Sequence, residues 1–188
     1  MHSLKIFALT LLTAVLCLSC TEADTRLSQS QPLYDYNVEQ KIADLGITLS
    51  EPPTPTNNFV NAVRTGNLVF MSGKGPRYDD GTYVKGKVGA DLTIEEGYDA
   101  ARLTAIAQLS GLKAEIGDLN KVVRIVKVYG MVNCPTDFTQ QPAVVNGFSD
   151  LMVDVFGDRG RHARAAVGMG SLPSNIAVEI EMIVEVRD

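Results

Sequence analysis

Apolar and polar positions alternate through residues 178–186 (VEIEMIVEV), broken only by Ile183. Successive strand side chains point to opposite faces. Val178, Ile180, Met182, Val184 and Val186 therefore share one face, and Glu179, Glu181, Ile183 and Glu185 the other. The apolar set predicts a face packed under helices; the glutamates predict a face turned away from them. Residues 122–132 (VVRIVKVYGMV) are rich in β-branched residues and predict a central strand. Two shorter β-prone runs, 59–64 and 68–72, flank Thr65-Gly66-Asn67, which reads as a hairpin turn. Residues 72–81 (SGKGPRYDDG) predict a loop.

Elsewhere the period is helical. Thr93 and Glu96 form a T-x-x-E capping signature, in which each side chain satisfies the other residue's backbone N–H. The helix after it carries Tyr98, Ala101, Ala105, Leu109 and Leu112 on one stripe and stops at Gly117. Residues 142–156 place Val144, Val145, Phe148, Leu151, Met152 and Val155 on a second amphipathic face, with Gly157 as the stop. Val38, Ile42 and Leu45 predict a shorter helix ending at Gly46. The prolines of residues 51–58 (EPPTPTNN) remove donors and disfavour regular structure, so this stretch reads as a connector. The order β-β-α-β-α-β-β, with two long helices on one face of a mixed sheet, is a two-layer α/β sandwich.

The N-terminus is set apart. After His2 and Lys5, residues 6–18 (IFALTLLTAVLCL) are apolar but too few to span a bilayer comfortably. A weakly positive start, a short apolar run and then Ser19-Cys20 predict a signal peptide over 1–19. The Ser-Cys step resembles a bacterial lipobox, with Cys20 as the acylated residue. Residues 20–33 then form a polar, lipid-anchored tether, 34–58 the helix and connector, and 59–188 the main domain. An exported chain anchored through Cys20 is the expectation. Cys134 is left without a partner and reads as a small buried apolar residue.

The 188 residues carry 17 Lys and Arg against 22 Asp and Glu, a net charge of −5. That balance argues against nucleic acid as a partner, because its binding rests on neutralised phosphates. One stretch departs from it: GRHARAAVGMGSLP, residues 160–173, with Arg159 just before. Arg159, Arg161 and His162 read as solvated loop charges. Arg164 differs, since it stands at a strand mouth beside Ala165 and Ala166, which leave room for a ligand. Glu179 lies close in sequence. A carboxylate and an arginine gathered at one sheet face would make a site for a small polar ligand.

Three segments in order now carry a resemblance: FMSGKGP (70–76), DFTQQPAVVNGFSDLMVDVF (137–156) and HARAAVGMGSLPSNIAVEIEMIVEV (162–186). Together they resemble the Rid/YjgF family of enamine and imine deaminases, also known as L-PSP endoribonucleases. The resemblance implies a chorismate-mutase-like sandwich and a homotrimer with its pockets between neighbouring subunits. It implies that Arg164 grips a substrate carboxylate, a task suited to the guanidinium fork. It gives Glu179 the attacking water, and it places Ser72, Asn146 and Phe59 in the substrate pocket. Phe59 stands near a family tyrosine but lacks its hydroxyl. Ala166 stands where cysteine is frequent, and His162 where proline is.

The implied activity is hydrolysis of short-lived 2-imino acids to 2-keto acids and ammonia, with no metal or cofactor. The alternative is a non-catalytic protein of the same fold that captures small carboxylates. RNA cleavage, which the family's second name carries, is the weakest reading given the acidic balance. The membrane enters only through the anchor.

Overall fold

The computed structural model describes residues 31–188. The expected signal segment, Cys20 and most of the tether lie outside the described residues. One compact unit runs over Leu33–Asp188. Its elements are α1 (Val38–Asp44), β1 (Ala62–Thr65), β2 (Leu68–Lys74), α2 (Ile94–Ile116), β3 (Val122–Asn133), α3 (Gln141–Phe156), β4 (Ala163–Met169) and β5 (Val178–Val186). The strands form one sheet in the order β1-β2-β5-β3-β4. β3 and β4 run parallel, joined by the α3 crossover, and the other neighbours are antiparallel. The sheet is mixed, α2 and α3 pack on it, and the expected sandwich is what the chain adopts.

The alternation of β5 holds: Val178, Ile180, Met182, Val184 and Val186 are buried, while Glu181 is exposed and Glu179, Ile183 and Glu185 are intermediate. They meet Leu109 and Leu112 of α2 and Val144, Phe148, Leu151 and Met152 of α3 in one core. Each such side chain contributes roughly 1.5–3 kcal/mol of burial. The two helices approach closely at Gly147, where a β-carbon would stand 2.0 Å from the Tyr98 carbonyl oxygen.

The capping box forms as expected, with Thr93 and Glu96 serving each other's backbone N–H. Tyr98 is not core, however. It lies only partly buried and donates its hydroxyl to Asp150, because Gly97 and Ala100 fill the buried face of that turn. The β1–β2 hairpin is also tighter and later than its sequence suggests. Thr65 pairs with Leu68, and Phe59 and Val60 stay outside the strand, 54 % and 55 % exposed. β2 continues past Ser72 to Lys74 through a register shift in its pairing with β5.

The N-terminal helix belongs to the same unit, with Tyr34, Val38 and Ile42 buried in the core. Two of the basic residues read as solvated are not so. Arg159 donates to the carbonyls of Leu33 (3.1 Å) and Val123 (2.9 Å), and its guanidinium lies over the Tyr34 ring. His162 is partly buried against α3. Only Arg161 remains a surface charge, paired with Asp158.

Candidate functional site

Arg164 sits near the start of β4, the edge strand. It pairs in register with Val128, which pairs in turn with Met182, and both of those side chains are buried under the helices. Arg164 therefore lies on the helix side of the sheet. One guanidinium nitrogen, Nη1, donates to Asn146 Oδ1 and to Ser149 Oγ on α3, each at 2.9 Å. Its Nε and Nη2 make no other hydrogen bond among the described residues, so one edge of the fork is open to a carboxylate. Behind it, Ser149 Oγ is 3.1 Å from His162 Nε2, and His162 Nδ1 is 2.6 Å from the Gly160 carbonyl oxygen. A carbonyl only accepts, so Nδ1 carries the proton and Nε2 accepts from Ser149. Burial, with Arg164 nearby, pushes the His162 pKa down and keeps the imidazole neutral. The chain of bonds fixes Arg164 without adding charge.

Glu179 lies where β5 begins, between buried Val178 and Ile180, and faces away from the helices. Its carboxylate covers Gly73: a β-carbon there would stand 2.4 Å from Oε1. No hydrogen bond holds that carboxylate among the described residues. Burial, and then the charge of Glu181, raises its pKa above the ordinary carboxylate range. The approach is possible because β2 shifts register between Met71 and Lys74. Such a shift leaves ladder groups unpaired, and Gln108 of α2 supplies the missing donor. Its Nε2, fully buried, donates to the carbonyls of Ser72 (2.9 Å) and Ile180 (2.6 Å). Ser72 Oγ donates to the Val60 carbonyl at 2.5 Å. Phe59 lies on the near side of this region and lines a cavity that also reaches Gly73.

The expected residues thus fall into two groups. Arg164 and Asn146 come together, and Ser72, Gly73 and Glu179 come together. Within one chain the two groups do not meet. Glu179 pairs with Met131, three residues beyond the Val128 that marks Arg164, and β3 lies between their strands. They also occupy opposite faces of the sheet. The sequence expectation of one shared face is corrected here: equal closeness along the chain says nothing about which side of a pleat each residue takes.

Three contributors escaped the sequence reading. Ser149 is one turn from Asn146 on α3, and the i, i+3 spacing was the available signal. His162 passed for a loop charge. Gln108 is a lone amide on the apolar stripe of α2, and a buried amide there implies a partner. Cys134 is free and buried. No cluster of three or more His, Cys, Asp or Glu side chains suited to a metal gathers among the described residues.

The chain is thus a two-layer sandwich with a basic fork at one sheet edge and, among the described residues, an unpaired carboxylate over a bulge. The chain belongs to the YjgF/chorismate mutase-like endoribonuclease family, whose model matches residues 39–186. It is similar to Protein TCP17 of Trypanosoma cruzi, 42 % identical over 152 residues that span 80 % of this chain and 95 % of TCP17. Among solved structures it is similar to Atu1372 of Agrobacterium tumefaciens, a protein of unknown function. The two are 41 % identical, with TM-score 0.75, over 80 % of this chain and 92 % of that one. A Shewanella oneidensis MR-1 structure bearing the endoribonuclease designation is 28 % identical, with TM-score 0.77, over 80 % of this chain and all of that one.

Proposed function

We propose that this protein is an imine deaminase. It hydrolyses 2-imino acids to 2-keto acids and ammonia, in an assembly where Arg164 of one copy faces Glu179 of the next. The observation that carries the reading is the half-buried Glu179 carboxylate, left without a hydrogen bond over Gly73 and with a raised pKa. A group in that state takes a proton from water and returns one at the next step. Arg164 binds the substrate carboxylate through the open edge of its fork. Water adds to the carbon of the protonated imine as Glu179 accepts its proton. Glu179 then protonates the amine nitrogen of the carbinolamine; the C–N bond breaks as Glu179 takes the hydroxyl proton, the carbonyl forms, and ammonia leaves and carries that proton off as ammonium. Orientation supplies most of the rate, since the bond is already polarised.

A second copy is part of the proposal, because one chain holds the two groups apart. The helix-free face of the sheet supports it. Val63, Phe70 and Ile183 stand in register across β1, β2 and β5, with Val63 56 % and Phe70 42 % exposed. An apolar row of that kind fits association better than bulk water. A trimer is the arrangement we favour. We also propose export and acylation at Cys20, which Cys20→Ser tests by moving the protein from the detergent phase to the aqueous phase.

The direct test is ammonia release from 2-iminopropanoate generated in situ. The protein should accelerate it, and Arg164→Ala should lower kcat/KM at least about a hundredfold, as loss of the orienting group predicts. Equal rates for both proteins would refute the assignment. Thermal stabilisation by 2-keto acids without turnover of any imine would instead favour a carboxylate-binding protein. Phe59 and Ala166, which lack the hydroxyl and thiol frequent in the resemblance, leave room for that second reading.

A further inference from the structure

The proline-rich stretch 51–58 does more than connect. Pro53 accepts a hydrogen bond from Asn61 Nδ2 at 3.1 Å, which pins the stretch beside β1. It forms one wall of a cavity of about 310 Å3. A second wall comes from α2 through Leu103, Ile106 and Ala107, and a third from the end of β2 and the loop after it. Phe59 and Gly73 lie at its border with the candidate site, but Arg164, Glu179 and Ser72 do not line it.

Lys74 points into it. Its Nζ donates to Asn61 Oδ1, and no carboxylate among the described residues forms an ion pair with it. Two of its three donors are therefore free. Burial pushes its pKa down, as expected for a cation with lost hydration and no counter-charge. Around it, Phe59, Tyr78 and Tyr83 expose 54 %, 50 % and 39 % of their surface. Arg77, Glu51 and Asp79 also reach the lining; with Lys74 the two signs balance, which does not suit a ligand of high negative charge. A single negative group on a flat apolar body satisfies all three features.

We propose that this cavity is a second binding site, for a monocarboxylate carrying one ring or a short branched chain. The carboxylate sits on Lys74 and the body lies between Phe59, Tyr83 and α2. The volume is at the small end of ligand pockets, about 300–1,000 Å3, which sets the size of the body. The site stands whether or not the protein hydrolyses imines.

The test is equilibrium titration with 3-phenylpropanoate, with the neutral 3-phenylpropanamide as control. The natural chain should bind the acid and not the amide. Lys74→Met should weaken binding about tenfold or more, the scale of one charge-assisted contact. Arg164→Ala should leave it unchanged, which separates this site from the deaminase reading. Ala107→Leu keeps helix propensity and does not alter Lys74, yet it fills the cavity and should also abolish binding. That variant decides the matter if Lys74→Met does not fold. Binding that Arg164→Ala removes, binding that survives both cavity variants, or no binding at all would each overturn the proposal.

Discussion

The Glu179 carboxylate lies so close over Gly73 that no β-carbon fits beneath it: one built there would stand 2.4 Å from Oε1. Gly73→Ala must therefore displace the carboxylate, since the backbone of β2 is held by β5 and Gln108. Imine hydrolysis should fall at least about tenfold, because misplacement by an ångström can cost a hundredfold in rate. Affinity for a 2-keto acid, which the proposed mechanism assigns to Arg164, should hold. Steady-state kinetics beside a direct titration would separate the two effects.

The raised pKa of Glu179 fixes two pH dependences. As a base it works ionised, so kcat/KM should fall on acidification with a midpoint above the ordinary carboxylate range, and Glu179→Gln should remove that limb. For stability the sign is opposite. The folded state favours the protonated acid, so the contribution is full below the unfolded pKa and lost as pH rises through the folded one. Glu179→Gln should therefore raise Tm at neutral pH, by about 1–3 °C for a group this exposed. The gain should vanish near pH 4.

Ser149 links Arg164 to neutral His162. Ser149→Ala cuts that chain and leaves Asn146 as the only tie on the guanidinium among the described residues. KM for the imino acid should rise several-fold with kcat little changed, since the group positions a binding residue. Ser149→Thr, which keeps the hydroxyl, should restore it.

Gln108 bridges two strands across the register shift. Gln108→Leu keeps the volume but leaves the Ser72 and Ile180 carbonyls buried and unpaired. Two orphaned groups at roughly 1–3 kcal/mol each are partly offset by removal of Gln108 Oε1, which is buried without a partner among the described residues, so the net cost should be about 1–3 kcal/mol, read as a lower urea midpoint at unchanged slope.

Phe70 and Ile183 are cross-strand neighbours on the helix-free face. Phe70→Glu places charge in the middle of that apolar row. In the proposed assembly it should yield monomers in sedimentation and abolish hydrolysis, while far-ultraviolet circular dichroism stays native.

The sandwich was legible because its periods are clean. β5 alternates with one exception, Ile183, and Thr93 with Glu96 announces α2. The site was legible only in pieces. Arg164 and Asn146 could be named from segments that are similar to a known family, and they do lie together. Their relation to Glu179 was not readable, because the face each residue takes depends on strand pairing and bulges. Arg159 shows the same limit: its partners, Leu33 and Val123, are distant in sequence, and no local pattern marks a guanidinium that caps carbonyls. Gln108 was hidden by good company, one amide among alanines and leucines.

Arg159 has a consequence for attachment. By holding Leu33 and stacking on Tyr34, it brings the incoming chain to the helix layer, where Tyr36 also donates to the Val155 carbonyl. Copies that join through their bare sheets would carry these entry points around the outer rim. In the proposed anchored assembly, mooring through Cys20 and contact between subunits would use different sides of the molecule.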